Sequence, residues 1–520
     1  MIENALIVRA CIEIDKQATF AGKYPVCPDE RVVYRQMLLM YLFSSPSSLA
    51  VASCLKQKGL AVRHLDLAGK YGIPLTREKN EERYAAVARD LEENGYDLIG
   101  ISCTAGVEYN NTLRIADIAK KVNPQCTLMV GGYHGASVAE DIVRSGNVDI
   151  VVVSDFEPIA DQLLKALNGA KSQLADVPNI VYRDGDAIRS TERKSVPFDL
   201  DTVSTDFSLD ADSLNRYATH FFECSRGCPY NCTFCQEKVL RRRYLKKSPE
   251  KAVDDIARGV EYISAVAYRP VFGYFSDPLW GLEKKWLHEF CERLIEKQKT
   301  FSHRFHWACL GRVGGYTSKD LERMRDAGCV LIFCGVESFS PKMLRVMNKT
   351  REPDKYLSLI DTSFSEMLNQ GISAEANMII CCPGETKESL LETEKGMSEL
   401  CRRLSHIQGA DLNFEVNLFS PLPGTPLHND LKDGTKYREY GTRIVIEKWW
   451  EKGVHPHVCC TVQPSSEIEP ADAVEALARI SNIEDHELWV WENSVRPVGD
   501  LSEKEIITPE DLMIISLGYG

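Results

Sequence analysis

Apolar β-rich runs and amphipathic helical stretches alternate twice along this chain. In the first series the apolar runs fall at 5–10, 60–65, 98–102, 127–130 and 148–153, and helical periodicity occupies 81–94, 110–122 and 137–145 between them. Buried parallel strands read as near-continuous apolar runs, and their crossovers as helices with one apolar stripe. The alternation therefore predicts an open, doubly wound, Rossmann-like α/β sheet over residues 1–170. Polar, irregular sequence follows from 171 to 217, with Pro178, Asp184, Gly185, Asp186 and Pro197, and reads as a linker with one hairpin. The second series predicts strands at 219–223, 271–275, 306–308, 330–334, 376–380 and 413–418, with helices at 251–265, 283–297 and 319–327. Six such units imply a partial (β/α)6 barrel over 218–431, with the unusual residues in the loops that follow its strands. From 432 to 520 the pattern is helical at 438–452 and 470–481, which predicts a mainly helical C-terminal region.

Composition narrows the class. With 520 residues, 44% hydrophobic and 26% charged, the chain is expected to fold as a soluble protein of about three domains. The net charge of -13, from 62 Lys plus Arg against 75 Asp plus Glu, gives no broad attraction to phosphate backbones or anionic lipid, so neither nucleic acid nor membrane is an expected partner. The uncharged stretch 37–55 contains Ser44, Ser45, Pro46, Ser47, Ser48 and Ser53, too polar for a bilayer span, and reads as a buried loop and helix start. Residues 1–10 carry Glu3 and Arg9 without a basic n-region, so a secretory signal is not expected and the cytoplasm is the predicted location. There the 18 cysteines would be reduced, and clustered ones point to metal binding or catalysis.

Cys228, Cys232 and Cys235 stand in the pattern Cys-x-x-x-Cys-x-x-Cys, inside a loop with Arg226, Gly227, Pro229 and Asn231. Three thiolates in one loop suit a [4Fe-4S] cluster with one iron left open for an exogenous ligand. Structural zinc prefers four closed ligands, which Cys224 would have to complete; packing of buried thiols is a third reading.

This segment resembles the signature of the radical S-adenosylmethionine (SAM) superfamily, with Phe234 as the aromatic residue before the last cysteine. Gly328-Cys329, Phe333 through Ser338, Asn348-Lys349, Pro383-Gly-Glu-Thr386 and Pro421 through Pro426 resemble later family segments, in the family's order over about 210 residues. The resemblance implies that the open iron chelates SAM and that one electron, from a donor such as flavodoxin or ferredoxin, splits it to a 5'-deoxyadenosyl radical. Glu337 and Ser338, just after a predicted strand, are candidates to reach SAM, and Asp277 in Phe275-Ser-Asp-Pro to contact SAM or substrate; a solvated loop pair and a turn aspartate are the structural alternatives. Cys381 and Cys382 replace a glycine-rich stretch of the family and read as packing residues, as do Cys459 and Cys460 beside His455 and His457.

The first 170 residues resemble the cobalamin-binding domain that precedes many radical SAM enzymes. The matching segments are 45–50 with Ser47 and Ser48, 100–104 with Cys103 and Thr104, 130–135 with Gly131, Gly132, Tyr133, His134 and Gly135, and 148–157 ending in Glu157. Small residues at strand ends allow close approach of a large planar macrocycle. His134 is not expected to ligate cobalt, because the Asp-x-His-x-x-Gly motif of histidine-ligated cobalamin proteins is absent. Ser154-Asp-Phe-Glu157 departs from the usual acidic glycine motif, and Phe156 is expected to narrow the loop or to stack on the cofactor. The expected activity is methylation of an unactivated carbon, or of phosphorus, in a small-molecule or natural-product intermediate by way of the radical and methylcobalamin. A ring-forming or rearranging enzyme with the same cofactors, and a corrinoid or redox sensor, are the alternatives; no catalytic side chain is singled out.

Overall fold

The computed structural model describes residues 2–12, 46–169, 171–217, 219–241, 243–457, 459–481 and 506–507. The expectations for 37–45, and for the chain beyond 481 apart from 506–507, lie outside the described residues. The first sheet contains β1 (Asn4–Arg9), β2 (Ala61–Asp66), β3 (Leu98–Ser102), β4 (Thr127–Gly131), β5 (Ile150–Val152), β6 (Ile180–Asp184) and β7 (Ala187–Ser190), in the order β2-β1-β3-β4-β5-β6-β7. Strands β1 to β5 pair in parallel. Leu6, Ile7, Val8, Ile99, Ile101, Leu128 and Val130 are buried on both faces, as a helix-covered parallel sheet requires. The strand order reverses between β1 and β3, which opens a crevice at their carboxyl ends.

The segment expected to be a linker contributes β6 and β7, a hairpin that adds antiparallel to β5. Gly185, at φ +61°, makes its turn, and Ile180, Val181 and Tyr182 are buried by it. The first sheet therefore runs on to Ser190, past the boundary expected at residue 170. A buried run of three residues was too short to stand out from its polar flanks.

The second sheet is β8 (Thr219–Phe222), β9 (Phe272–Phe275), β10 (His306–Gly311), β11 (Cys329–Glu337), β12 (Ser373–Ile380) and β13 (Leu412–Leu418), parallel throughout and in sequential order. Helices Pro249–Ala267, Lys284–Gln298, Ser318–Asp326, Pro353–Asn369 and Lys387–Leu404 cover it. Ser248, Thr317 and Thr386 cap three of these by accepting the N–H of Lys251, Asp320 and Ser389. Against β9 and β10 lies an aromatic core. The rings of Trp307 and Phe275 are 4.7 Å apart, those of Trp280 and Trp307 4.8 Å, and Phe290 and Trp286 complete the set. The backbone N–H of Trp280 donates to the Leu310 carbonyl at 2.9 Å, which fixes the loop after β9.

The C-terminal region departs from expectation. The helix predicted at 438–452 is a 3₁₀ turn at Arg438–Tyr440, a short strand at Arg443–Ile444 paired antiparallel with Val462–Gln463, and a turn carrying Trp449 and Trp450. Gly441 in a left-handed conformation and the packing of both tryptophans against the first domain override the local helical pattern. Helix Pro470–Ser481 is present, and residues 506–507 pair with Ile73–Pro74 of the first domain. Among the described residues no helix is long and apolar enough to cross a membrane.

Buried titratable groups set the pH response. Burial drives His134, His220 and His455 down to about 3 and His457 to about 4, whereas it drives Asp277 up to about 7 and Glu385 up to about 8. Below about pH 6.5 the unfolded chain protonates histidines that the folded chain keeps neutral, so the fold loses stability as pH falls through that value. The two carboxyls hold protons that the unfolded chain gives up above about pH 4, so their contribution is lost as pH rises towards 8. Four histidines outweigh two carboxyls on the acid side, and denaturant midpoints measured from pH 5 to 9 should peak near about pH 6.5. Glu385→Gln should flatten the alkaline limb.

Candidate functional site

The loop that leaves β8 carries Cys228, Cys232 and Cys235, each half-buried, among many fully buried cysteines. Its start is fixed by Asp277, which accepts the Cys224 N–H at 2.9 Å and the Ser225 hydroxyl at 3.0 Å. Asp277 thus anchors the loop from the end of β9 rather than reaching into open space, so the turn role describes it. Gly227, at φ +82°, lies so close to the Arg243 carbonyl that a Cβ would sit 1.9 Å from that oxygen. Further along, Thr233 donates its N–H to Met347 O at 2.9 Å and its hydroxyl to Val346 O at 2.8 Å, and Asn348 reaches the Asn231 carbonyl at 2.8 Å. Phe234 packs against the apolar cluster of Met343, Met347, Cys382, Phe419 and Leu427.

Burial raises the Cys228 thiol and pushes Cys235 up to about 12, and the neighbouring Cys232 adds to both. Neutral thiols at this spacing take up a metal by losing protons. Among the described residues no three Cys, His, Asp or Glu converge on one metal ion. In a cubane cluster each thiolate binds its own iron, so the three need only share a loop. Cys224 is fully buried, with its backbone N–H committed to Asp277, unlike the three half-buried cysteines.

Across from this loop, at the end of β11, Glu337 adopts φ +72° and pairs with Lys349 at 2.8 Å, both buried. Arg312, following β10, bonds the Lys349 carbonyl and lies 3.9 Å from the ring centroid of Tyr230 in the cysteine loop. Ser338 faces elsewhere. Its hydroxyl is 2.8 Å from that of Thr393 and accepts the Ser340 N–H at 3.0 Å, inside the barrel wall. Glu385 accepts the N–H groups of Cys381 and Cys382, whose side chains are buried. Burial of Cys381 and Cys382 agrees with a packing role, and among the described residues His455, its ring centroid 5.5 Å from that of His457, joins no metal-binding set.

In the first domain, the loops after β3 and β4 lie against each other. Gly135 donates to Cys103 O at 2.9 Å and His134 to Thr104 O at 3.2 Å, while Cys103 is buried and Thr104 exposed. Gly132, at φ +99°, has no room for a Cβ beside the Cys103 carbonyl, and Gly135 abuts Val130 and Cys103. These two glycines serve loop packing; Gly131 alone presents bare backbone to open space. Ser47 is exposed, and Ser48 is buried with its hydroxyl 2.9 Å from His64 Nε2, which in turn meets Asp210 at 3.1 Å. His134 is 1% exposed, boxed by Tyr109, Trp449 and Trp450, and neither ring nitrogen has a hydrogen-bond partner. A crevice of about 840 Å³ opens beside it, lined among others by Ser137, Val138, Val153, Pro423, Trp449 and Trp450. None of the three cysteines lines this crevice, but its Pro423 carbonyl accepts from Gln236, the residue after Cys235.

The two halves meet at a seam of buried charge that sequence reasoning missed. Arg226 bonds Glu157 through both terminal nitrogens at 2.9 and 2.8 Å, Glu223 at 2.7 Å and Asp155 at 3.2 Å. Arg241 bonds Asp155 at 2.9 Å and the Tyr133 hydroxyl at 2.7 Å, and that hydroxyl donates to Glu237 at 2.6 Å. Burial alone would raise Glu157, yet the Arg226 guanidinium holds it below the usual carboxylate range. Glu157 and Tyr133, expected at a cofactor, are thus engaged with the cysteine segment. The signal was present in Arg226, two residues before Cys228, and in the basic run 238–247, but their acidic partners in the first domain lie 69 to 86 positions away.

A B12-binding domain profile matches residues 44–164 and a radical SAM superfamily profile matches residues 222–395. The chain is 24% identical over 377 residues to an uncharacterized methyltransferase of Pyrococcus horikoshii, covering 69% of this chain and 75% of that one. It is 25% identical over 386 residues to the anaerobic magnesium-protoporphyrin IX monomethyl ester cyclase of Cereibacter sphaeroides, covering 70% of this chain and 58% of the relative. In fold it is similar to the radical SAM methyltransferase TsrM of Kitasatospora setae, solved with cobalamin and a [4Fe-4S] cluster, with a TM-score of 0.66 at 13% identity over 94% of this chain and 92% of that one. The cofactors that go with the two domains are a [4Fe-4S] cluster, SAM and cobalamin, and the donor chemistry agrees: a loop of three neighbouring thiols on the barrel, and bare backbone beside open space at the strand ends of the first sheet. With its cysteine loop at the mouth of a six-stranded parallel barrel and a doubly wound sheet locked against it, this chain is a radical SAM enzyme carrying a B12-binding domain.

Proposed function

We propose that this enzyme is a cobalamin-dependent methyltransferase that methylates an unactivated carbon, or a phosphorus centre, of a small molecule. The observation that carries the reading is the contact of the loop after β4 with the cysteine segment, through Tyr133, Glu237 and Arg241, which sets the strand-end loops of the two domains against one seam. When bound, the cluster and SAM supply a carbon radical that removes hydrogen, and cobalamin supplies the methyl group. Cys228, Cys232 and Cys235 hold the cluster, with Asp277 and Arg226 fixing their loop. Glu337, oriented by Lys349, and Arg312, braced on Tyr230, offer an acceptor and a donor for the amine and carboxylate of SAM. Gly131 would offer the corrinoid bare backbone to approach, and Tyr109, Trp449 and Trp450 pack around the neighbouring His134. An external protein such as flavodoxin or ferredoxin delivers the electron.

Ring formation without methyl transfer is the second reading, favoured by the likeness to the cyclase. Anaerobic incubation of the reconstituted enzyme with candidate substrates separates the two. The first reading requires a product heavier by one methyl unit; a product of unchanged carbon count would sink it.

Cys228→Ala, Cys232→Ala and Cys235→Ala should each lose cluster iron and SAM cleavage, whereas Cys224→Ala should keep both. Iron quantification and 5'-deoxyadenosine yield decide this. Because His134 is sealed among aromatic rings, the Co(II) corrinoid spectrum should lack histidine nitrogen splitting. His134→Phe should leave that spectrum unchanged, and a splitting lost in the variant would overturn the assignment.

A further inference from the structure

We propose that Arg226 is a positioning residue that couples occupancy of the B12-binding domain to the geometry of the cysteine loop, acting through Glu157 and Asp155. This rests on the reading above and extends it. Arg226 stands two residues before Cys228 and is 3% exposed. Its guanidinium donates two parallel bonds to Glu157 and a third to Asp155, both on the loop after β5, where a corrinoid of the first domain would border. Two further bonds tie it to Glu223 at the foot of the same cysteine loop. Asp155 is shared with Arg241, six residues after Cys235, so both ends of the cysteine segment are held by one loop of the other domain.

A planar guanidinium with every nitrogen committed cannot follow one partner without moving the other. Displacement of 154–157 by a ligand therefore reaches Cys228 within two residues and Cys235 within six. The burial of the pair makes this link stiff, because no water can replace a lost contact.

Coupling of this kind is reciprocal, and it is read on the oxidised enzyme without turnover. Iron release to a chelator is timed with and without saturating hydroxocobalamin, whose retention is followed by its visible absorbance. In the unaltered enzyme hydroxocobalamin should slow release severalfold. In Glu157→Gln, which keeps the shape and removes the charge, that ratio should fall towards one while hydroxocobalamin is still retained. Arg226→Lys, limited to one bond direction, should give an intermediate ratio. A merely structural role would speed release equally with and without the corrinoid, leaving the ratio unchanged, and that result would overturn the proposal. Asp155→Asn serves as a second variant if Glu157→Gln does not fold. The unaltered enzyme provides the reciprocal check: hydroxocobalamin should bind more weakly after the iron is removed, and equal affinity would refute the coupling. Absence of corrinoid binding altogether would instead refute the assigned cofactor.

Discussion

Two guanidiniums buried among four carboxylates hold the two parallel sheets with their strand ends towards each other. Arg226 and Arg241 come from the cysteine segment; Asp155 and Glu157 come from the first domain, and Glu223 and Glu237 flank the cysteines. Desolvating so much charge is unfavourable unless each group is paired, and losing one partner of such a pair typically costs about 3–5 kcal/mol. The arrangement thus contributes less to net stability than to uniqueness. Any other docking of the two sheets would strand charge in a dry interface.

The remaining architecture feeds into that seam. The aromatic core of Phe275, Trp280 and Trp307 fixes the loop after β9, that loop fixes Asp277, and Asp277 fixes Cys224 and Ser225 at the entrance of the cysteine loop. From the opposite side, Gly132 and Gly135 let the loops after β3 and β4 close on each other and carry Tyr133 to Glu237. A rigid line of packed and bonded groups therefore runs from the outer barrel helices to the sheet of the first domain.

Strand and helix order was legible in the chain because buried parallel strands need near-continuous apolar runs, and all six barrel strands lie where those runs are. The three-cysteine spacing was legible for a similar reason, since loop chemistry is local. The hairpin β6–β7 was readable as a hairpin but not as part of the sheet, because pairing with β5 depends on a distant edge. The roles of Glu157, Ser338 and Asp277 were not legible. A carboxylate or hydroxyl at a strand end looks the same whether it faces a ligand or a partner such as Arg226, Thr393 or the Cys224 N–H. The helical pattern at 438–452 failed because Trp449 and Trp450 are apolar for the sake of His134 and Gly106, not for a helix stripe.

The turn carrying those two tryptophans has a consequence for the order in which the molecule is built. It is pinned to the first domain by Lys448 to Asp141 at 3.3 Å and by Asn110 to the Glu451 carbonyl at 3.1 Å, yet it lies more than 250 residues after the sheet it covers. On a ribosome, the first sheet is complete long before residue 449 emerges, and domains fold as they appear. For that interval the loops that carry Gly106 and His134 lack the two rings that pack on them in the finished protein. The aromatic box around His134 is therefore completed late, by chain that follows the barrel.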